Sequence, residues 1–229
     1  MATALTVHVS DSVGEVEALL LRPNNARWLL VLAHGAGAGM RHPFMESLAC
    51  DLAACRVASF RYQFPYMQQR RKRPDAPAML TATVRAAVRA ATEAASDLPL
   101  LAGGKSLGGR MTSLAFSQEP PGKERDATPV RGLLFVGFPL HAPGRPGIER
   151  ADHLTRIHVP MLFLQGTRDT FADLTLLRPV CAKLAPRATL HVVEDADHSF
   201  HVPKRSGKTD AEVLRDLARA VATWAESLC

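Results

Sequence analysis

One short segment constrains this chain more than any other: Gly104-Lys105-Ser106-Leu107-Gly108, set between the strand-like run Pro99-Leu100-Leu101-Ala102 and the helix-like stretch Leu107–Ser117. A serine with glycine two residues away on either side, at a strand-to-helix turn, projects its oxygen above a sheet. The turn strains the serine backbone and leaves no room for flanking side chains. Ser106 is therefore the expected nucleophile. A phosphate-binding loop is the competing reading of Gly-Lys-Ser, but it requires a glycine five residues before Gly104, where Pro99 stands.

The rest of the chain supplies the scaffold such a turn needs. Leu5–Val9 and Val16–Leu21 read as antiparallel-type strands and Trp28–Ala33 as a buried strand. Strand-like runs then follow at Val57–Phe60, Leu100–Ala102, Gly132–Val136, Met161–Leu164 and Thr189–Val193. Between and after them come helical patterns at Phe44–Ala54, Ala78–Ala95, Leu107–Ser117, Leu174–Leu184 and Asp210–Leu228, the last opened by a Thr209/Glu212 capping box. Strand-helix alternation predicts a mostly parallel central sheet with helices on both faces. With the serine turn, that is an α/β-hydrolase fold, expected as a single domain over 1–229. Gln63–Pro77, Glu119–Pro129 and Pro139–Ile148 read as loops.

Acyl transfer through a serine needs backbone N–H donors for the oxyanion, and an acid and a histidine beyond later strand ends. Leu107 supplies one amide. The second is assigned to Ala36, with Gly37 as the alternative, in His34-Gly35-Ala36-Gly37-Ala38-Gly39 after the third strand. A dinucleotide fingerprint there would require glycine at Met40. His34 is expected to brace the loop. Asp169, in the turn after Met161–Leu164, is the expected acid, with Asp173 as the fallback. His198, in the loop after Thr189–Val193, is the expected base, while His191 and His201 read as structural or surface histidines.

Composition narrows the setting. Cys50, Cys55, Cys181 and Cys229 form no C-x-x-C pair, so neither zinc nor a disulfide framework is expected. We read no cofactor site and no metal site. The N-terminus lacks the basic and apolar regions of a signal peptide, and no apolar run approaches the roughly 20 residues of a membrane span, so a soluble cytoplasmic protein is expected, with no membrane partner. Net charge is +6, with Arg70, Arg71, Lys72 and Arg73 in one run. No nucleic-acid motif accompanies that run, and it reads as a solvated loop, with steering of an anionic ester as the minority reading.

Six segments carry a family resemblance: His34–Met45 (HGAGAGMRHPFM), Phe64–Met67 (FPYM), Gly103–Arg110 (GGKSLGGR), Gly137–His141 (GFPLH), Gln165–Asp169 (QGTRD) and Asp197–Phe200 (DHSF). Together they resemble a family of small predicted α/β-hydrolases whose domain is shared with a testis-expressed mammalian protein and a subunit of the NSL histone acetyltransferase complex. The likeness runs from the third strand to the final helix and implies the fold and the triad positions, but no substrate. It is distinct from dienelactone hydrolases, whose nucleophile is cysteine. By family position, Phe64, Tyr66, Phe138 and Leu140 are candidate walls of the substrate pocket.

About two dozen residues separate Val136 from Met161, so no large cap domain is expected and the pocket should be open and shallow. The resulting expectation is a carboxylic-ester-type serine hydrolase acting through an acyl-enzyme on a small-molecule acyl substrate. A serine peptidase or acyltransferase using the same triad stays open, as does a non-catalytic binding module of the same fold.

Overall fold

A computed structural model describes residues 1–118 and 130–228. The expected loop Glu119–Pro129 lies outside the described residues. The chain builds one eight-stranded sheet in the order β1-β2-β4-β3-β5-β6-β7-β8. The strands are β1 (Thr3–Ser10), β2 (Gly14–Leu21), β3 (Trp28–Ala33), β4 (Val57–Tyr62), β5 (Leu100–Lys105), β6 (Val130–Val136), β7 (Met161–Gly166) and β8 (Ala188–Val193). β1 pairs antiparallel with β2, and β2 with β4; every other pairing is parallel. The helices are α1 (Pro43–Ala54), α2 (Pro65–Gln68), α3 (Pro77–Ala94), α4 (Leu107–Ser117), α5 (Leu174–Lys183) and α6 (Asp210–Glu226).

Alternation along the central strands divides the core. Leu29 and Val31 face the side covered by Leu80, Val84 and Val88 of α3 and Met111 and Ala115 of α4. Leu30 and Leu32 face Met45, Leu48 and Leu52 of α1 and Val213, Leu217, Val221 and Trp224 of α6. Strands buried on both faces read as unbroken apolar runs, which is why they could be located from sequence. The Thr209/Glu212 capping box is formed, with the Thr209 amide donating to the Glu212 carboxylate at 2.7 Å and Thr209 Oγ1 accepting from the Glu212 amide at 3.3 Å.

Two expectations need amendment. The segment Gln63–Pro77, read as irregular, contains α2, started by Pro65 at its first helical position. β4, β5 and β7 also run two or three residues past their expected ends, to Tyr62, Lys105 and Gly166. Between β6 and β7 lie an isolated bridge, Ala142 with Arg145, and a 3-10 turn, Glu149–Arg156, and among the described residues no large cap covers the sheet. No helix among the described residues is long and apolar enough to cross a membrane.

Candidate active site

Six parallel strands, β3 to β8, end at one edge of the sheet, and the turns after β3, β5, β7 and β8 carry the site. β5 runs into Ser106, whose amide donates to the Val136 carbonyl at 3.0 Å and whose φ of 50° and ψ of −115° lie in a region that side chains rarely adopt. Glycine is required on both sides. A Cβ on Gly104 would lie 2.7 Å from the Ala33 carbonyl oxygen, and one on Gly108 would lie 2.6 Å from both the Ala33 and His34 oxygens. The elbow is thereby pressed against the end of β3, where Ala33 pairs with Gly104.

The structure brings Ser106, His198 and Asp169 together. His198 Nε2 stands 2.8 Å from Ser106 Oγ, and His198 Nδ1 stands 2.7 Å from Asp169 Oδ2. The Asp169 side chain is 1% exposed and that of His198 19%, so the acid is sealed below while the base opens to the cleft. Asp169 also accepts from the Phe171 amide at 2.7 Å and from Gln165 Nε2 at 2.5 Å. The Phe171 ring lies against the imidazole, with centroids 4.3 Å apart. Asp173, the fallback acid, is engaged elsewhere: it caps α5, accepting from the Thr175 amide at 2.8 Å and hydroxyl at 2.7 Å, and these bonds lower its pKa.

The loop after β3 is held by residues remote in sequence. His34 is fully buried, with Nδ1 2.8 Å from the Gly35 carbonyl and Nε2 accepting from the Phe64 amide at 3.0 Å. The donor pattern fixes a neutral imidazole, and burial pulls its pKa down to about 4 against the Gly35 bond. Gln63 Oε1 accepts from the Met40 amide at 2.9 Å, and buried Arg61 donates to the Met40 carbonyl at 3.0 Å. Burial raises the pKa of the Tyr66 hydroxyl, which has no hydrogen-bond partner among the described residues. Among the described residues Ala36 makes no backbone hydrogen bond, and Leu107, first residue of α4, has no intrahelical acceptor for its N–H.

A cavity of about 420 Å³ opens beside Ser106, lined by Gly35, Ala36, Phe44, Met45, Phe171 and His198 among others. The four expected wall residues do not line it. Phe64, Tyr66, Phe138 and Leu140 are each at most 1% exposed and pack into the α3-side core, where Phe138 meets Phe135 and Phe163 and Phe64 meets Tyr62 and His34. The apolar walls come from the α1 side instead, through Phe44 and Met45, and both residues lie within the His34–Met45 motif. Arg70–Arg73 do not line the cavity; Arg71 pairs with Asp75 at 2.5 Å. His201 is exposed against Asp210, His191 is half-buried in β8, and Cys50, Cys55 and Cys181 carry free thiols.

A mostly parallel sheet with a serine elbow after β5, an acid after β7 and a histidine after β8 defines the α/β-hydrolase class. The chain belongs to the α/β-hydrolase family, since residues 26–226 match the family model described as an alpha/beta hydrolase domain. Solved structures share the fold at low identity. A dienelactone hydrolase from Anabaena variabilis is 19% identical with a TM-score of 0.73, over 98% of this chain and 96% of that one. An α/β serine hydrolase homologue from Coxiella burnetii is 20% identical with a TM-score of 0.72, over 95% of each chain. A member of the α/β serine hydrolases without a lid, from Xanthomonas campestris, is 19% identical with a TM-score of 0.71, over 97% of this chain and 94% of that one.

Proposed function

We propose that this protein is a serine hydrolase that cleaves an ester or related acyl bond of a small molecule through an acyl-enzyme. The observation that carries the reading is the unbroken relay from Ser106 Oγ through the His198 imidazole to Asp169, at 2.8 Å and 2.7 Å.

The steps follow from the positions of the donors and acceptors. His198 Nε2 takes the Ser106 proton as Oγ attacks the carbonyl carbon, while Asp169 accepts from Nδ1–H and balances the imidazolium. The Leu107 amide and that of Ala36, with Gly37 as the alternative, receive the oxyanion. A pair of such donors is worth on the order of a hundredfold or more in rate. His198 then protonates the leaving oxygen, and a water activated by the same imidazole releases the acyl group. The Phe44, Met45 and Phe171 walls suit a compact apolar acyl group. The dienelactone hydrolase of similar fold is named for action on a lactone, an acyl-oxygen bond of the same kind.

The test is steady-state hydrolysis of p-nitrophenyl acetate by the wild type and by the Ser106→Ala, His198→Ala and Asp169→Asn variants. Turnover in the wild type with a loss of about a thousandfold or more in the first two supports the reading. Equal rates across the set overturn it.

A further inference from the structure

Lys105 is the residue of the serine turn that the hydrolytic steps leave without a task. It closes β5 and lines the cavity, and its side chain reaches the backbone of the base. Its Nζ donates to the His198 carbonyl at 2.6 Å and stands 5.9 Å and 5.7 Å from the ring centroids of Phe44 and Phe200. Gly137 makes room for it: a Cβ there would lie 3.1 Å from Lys105 Nζ and 3.4 Å from His198 Nδ1. The ammonium therefore occupies the same corner as the bond between His198 and Asp169.

Lys105 is half-buried at the cavity wall, and holding a cation there against one carbonyl is unfavourable unless other groups compensate. Here two aromatic rings flank it, and the carboxylates of Asp169 and Asp197 attract it. The groups facing it are Asp169 from the loop after β7, Asp197 and His198 from the loop after β8, Phe44 from α1 and the backbone of Gly137 after β6. An uncharged side chain would fill the space at lower cost, so the charge itself calls for an explanation.

We propose that Lys105 is a positioning residue of the relay: its ammonium ties the His198 backbone to the nucleophile strand and so holds the imidazole over Ser106. The proposal rests on the serine-hydrolase reading. Removing the ammonium lets the His198 loop drift from Ser106, so kcat falls while binding of a neutral ester changes little. Burial draws the Lys105 pKa down to about 8, with Asp169 and Asp197 opposing the shift. The ammonium is present below that pH and is lost above it, which gives the rate an alkaline limb.

The experiment is kcat and KM for p-nitrophenyl acetate from pH 6 to pH 9.5 in the wild type and in the folded Lys105→Arg and Lys105→Met variants. The wild type is expected to lose rate around pH 8. Lys105→Arg, whose charge does not titrate, keeps kcat within about threefold and loses the alkaline limb. Lys105→Met lowers kcat at pH 7 by about tenfold to a hundredfold, with KM within about twofold. In the wild type, the limb should also move to lower pH on warming, as an amine ionisation does. A limb unchanged in either variant, a wild-type kcat in Lys105→Met, or a wild-type limb insensitive to temperature overturns the proposal while leaving the hydrolase reading intact. A wild type inert toward the ester overturns both.

Discussion

Gln165 Nε2 donates to Asp169 Oδ2 at 2.5 Å, and Gln165 Oε1 accepts from the Phe138 amide at 3.0 Å, so the acid of the site is aimed by a fully buried residue of β7. Gln165→Leu leaves the buried Phe138 amide without an acceptor and takes from Asp169 one of its three side-chain partners, leaving those from Phe171 and His198. The expected cost is about 1–3 kcal/mol of stability, with kcat down about tenfold or more because Asp169 is free to turn from His198. Urea denaturation alongside steady-state kinetics on the folded variant checks both parts.

Gly108 and Gly37 should respond very differently to alanine. At Gly108 a Cβ would lie 2.6 Å from two backbone oxygens, and backbone cannot give way, so Gly108→Ala should fail to yield a soluble folded protein. At Gly37, with φ of 74°, nothing lies within 4 Å, so Gly37→Ala costs only the positive-φ strain, about 1 kcal/mol. Soluble yield and thermal midpoints of the two variants separate steric exclusion from conformational preference.

The core placement of Phe138 and the cavity placement of Phe44 make opposite predictions. Phe138→Leu should lower stability by about 1 kcal/mol and leave KM unchanged. Phe44→Ala should raise KM for an apolar acyl ester severalfold, because it removes a cavity wall. A KM series with acetyl, butyryl and benzoyl esters distinguishes the two residues.

Acid should destabilise the fold through two buried histidines. Burial draws the pKa of His34 and of His153 down to about 4, with Arg110 and Arg156 adding to the shift at His153. Both are neutral in the folded chain and protonate near 6.5 once unfolded, so unfolding takes up protons between pH 6.5 and pH 4. Stability is full above pH 6.5 and falls as pH drops through that window, by on the order of 1.4 kcal/mol per unit for each histidine. His191 is shifted in the same direction and exposed His201 in the opposite one. His153→Gln should flatten the fall between pH 6 and pH 5 by about one proton's worth, read from denaturation midpoints at the two pH values.

The sequence revealed whatever was repetitive or crowded. Apolar runs located the strands, and Gly104 and Gly108 marked the elbow because the close approach of β3 excludes any side chain there. The expected strand ends fell short where the apolar pattern breaks but the ladder continues. Gly103 pairs with Leu32 and Leu134 in the ladder, at a position where a Cβ would lie 2.0 Å from the Leu134 oxygen, while Arg61 and Gln165 stay in β4 and β7 with their side chains serving distant backbone.

Polar contacts between remote segments left no such pattern. Lys105 with His198, Gln63 with Met40 and Gln165 with Phe138 join different crossovers, and no local periodicity encodes those pairs. The aromatic residues failed for another reason: apolar character near a sheet edge does not say which side of the sheet a loop packs on. Phe64, Tyr66, Phe138 and Leu140 turned into the α3 side, whereas the cavity opens on the α1 side.

The central claim is that Ser106 is an activated nucleophile, and covalent labelling tests it most directly. Intact protein treated with a fluorophosphonate and mapped by peptide mass spectrometry should gain one adduct, on Ser106, absent from Ser106→Ala and strongly slowed in His198→Ala. A wild type that stays unlabelled, or that carries its adduct on another residue while Ser106→Ala labels equally well, would contradict the account.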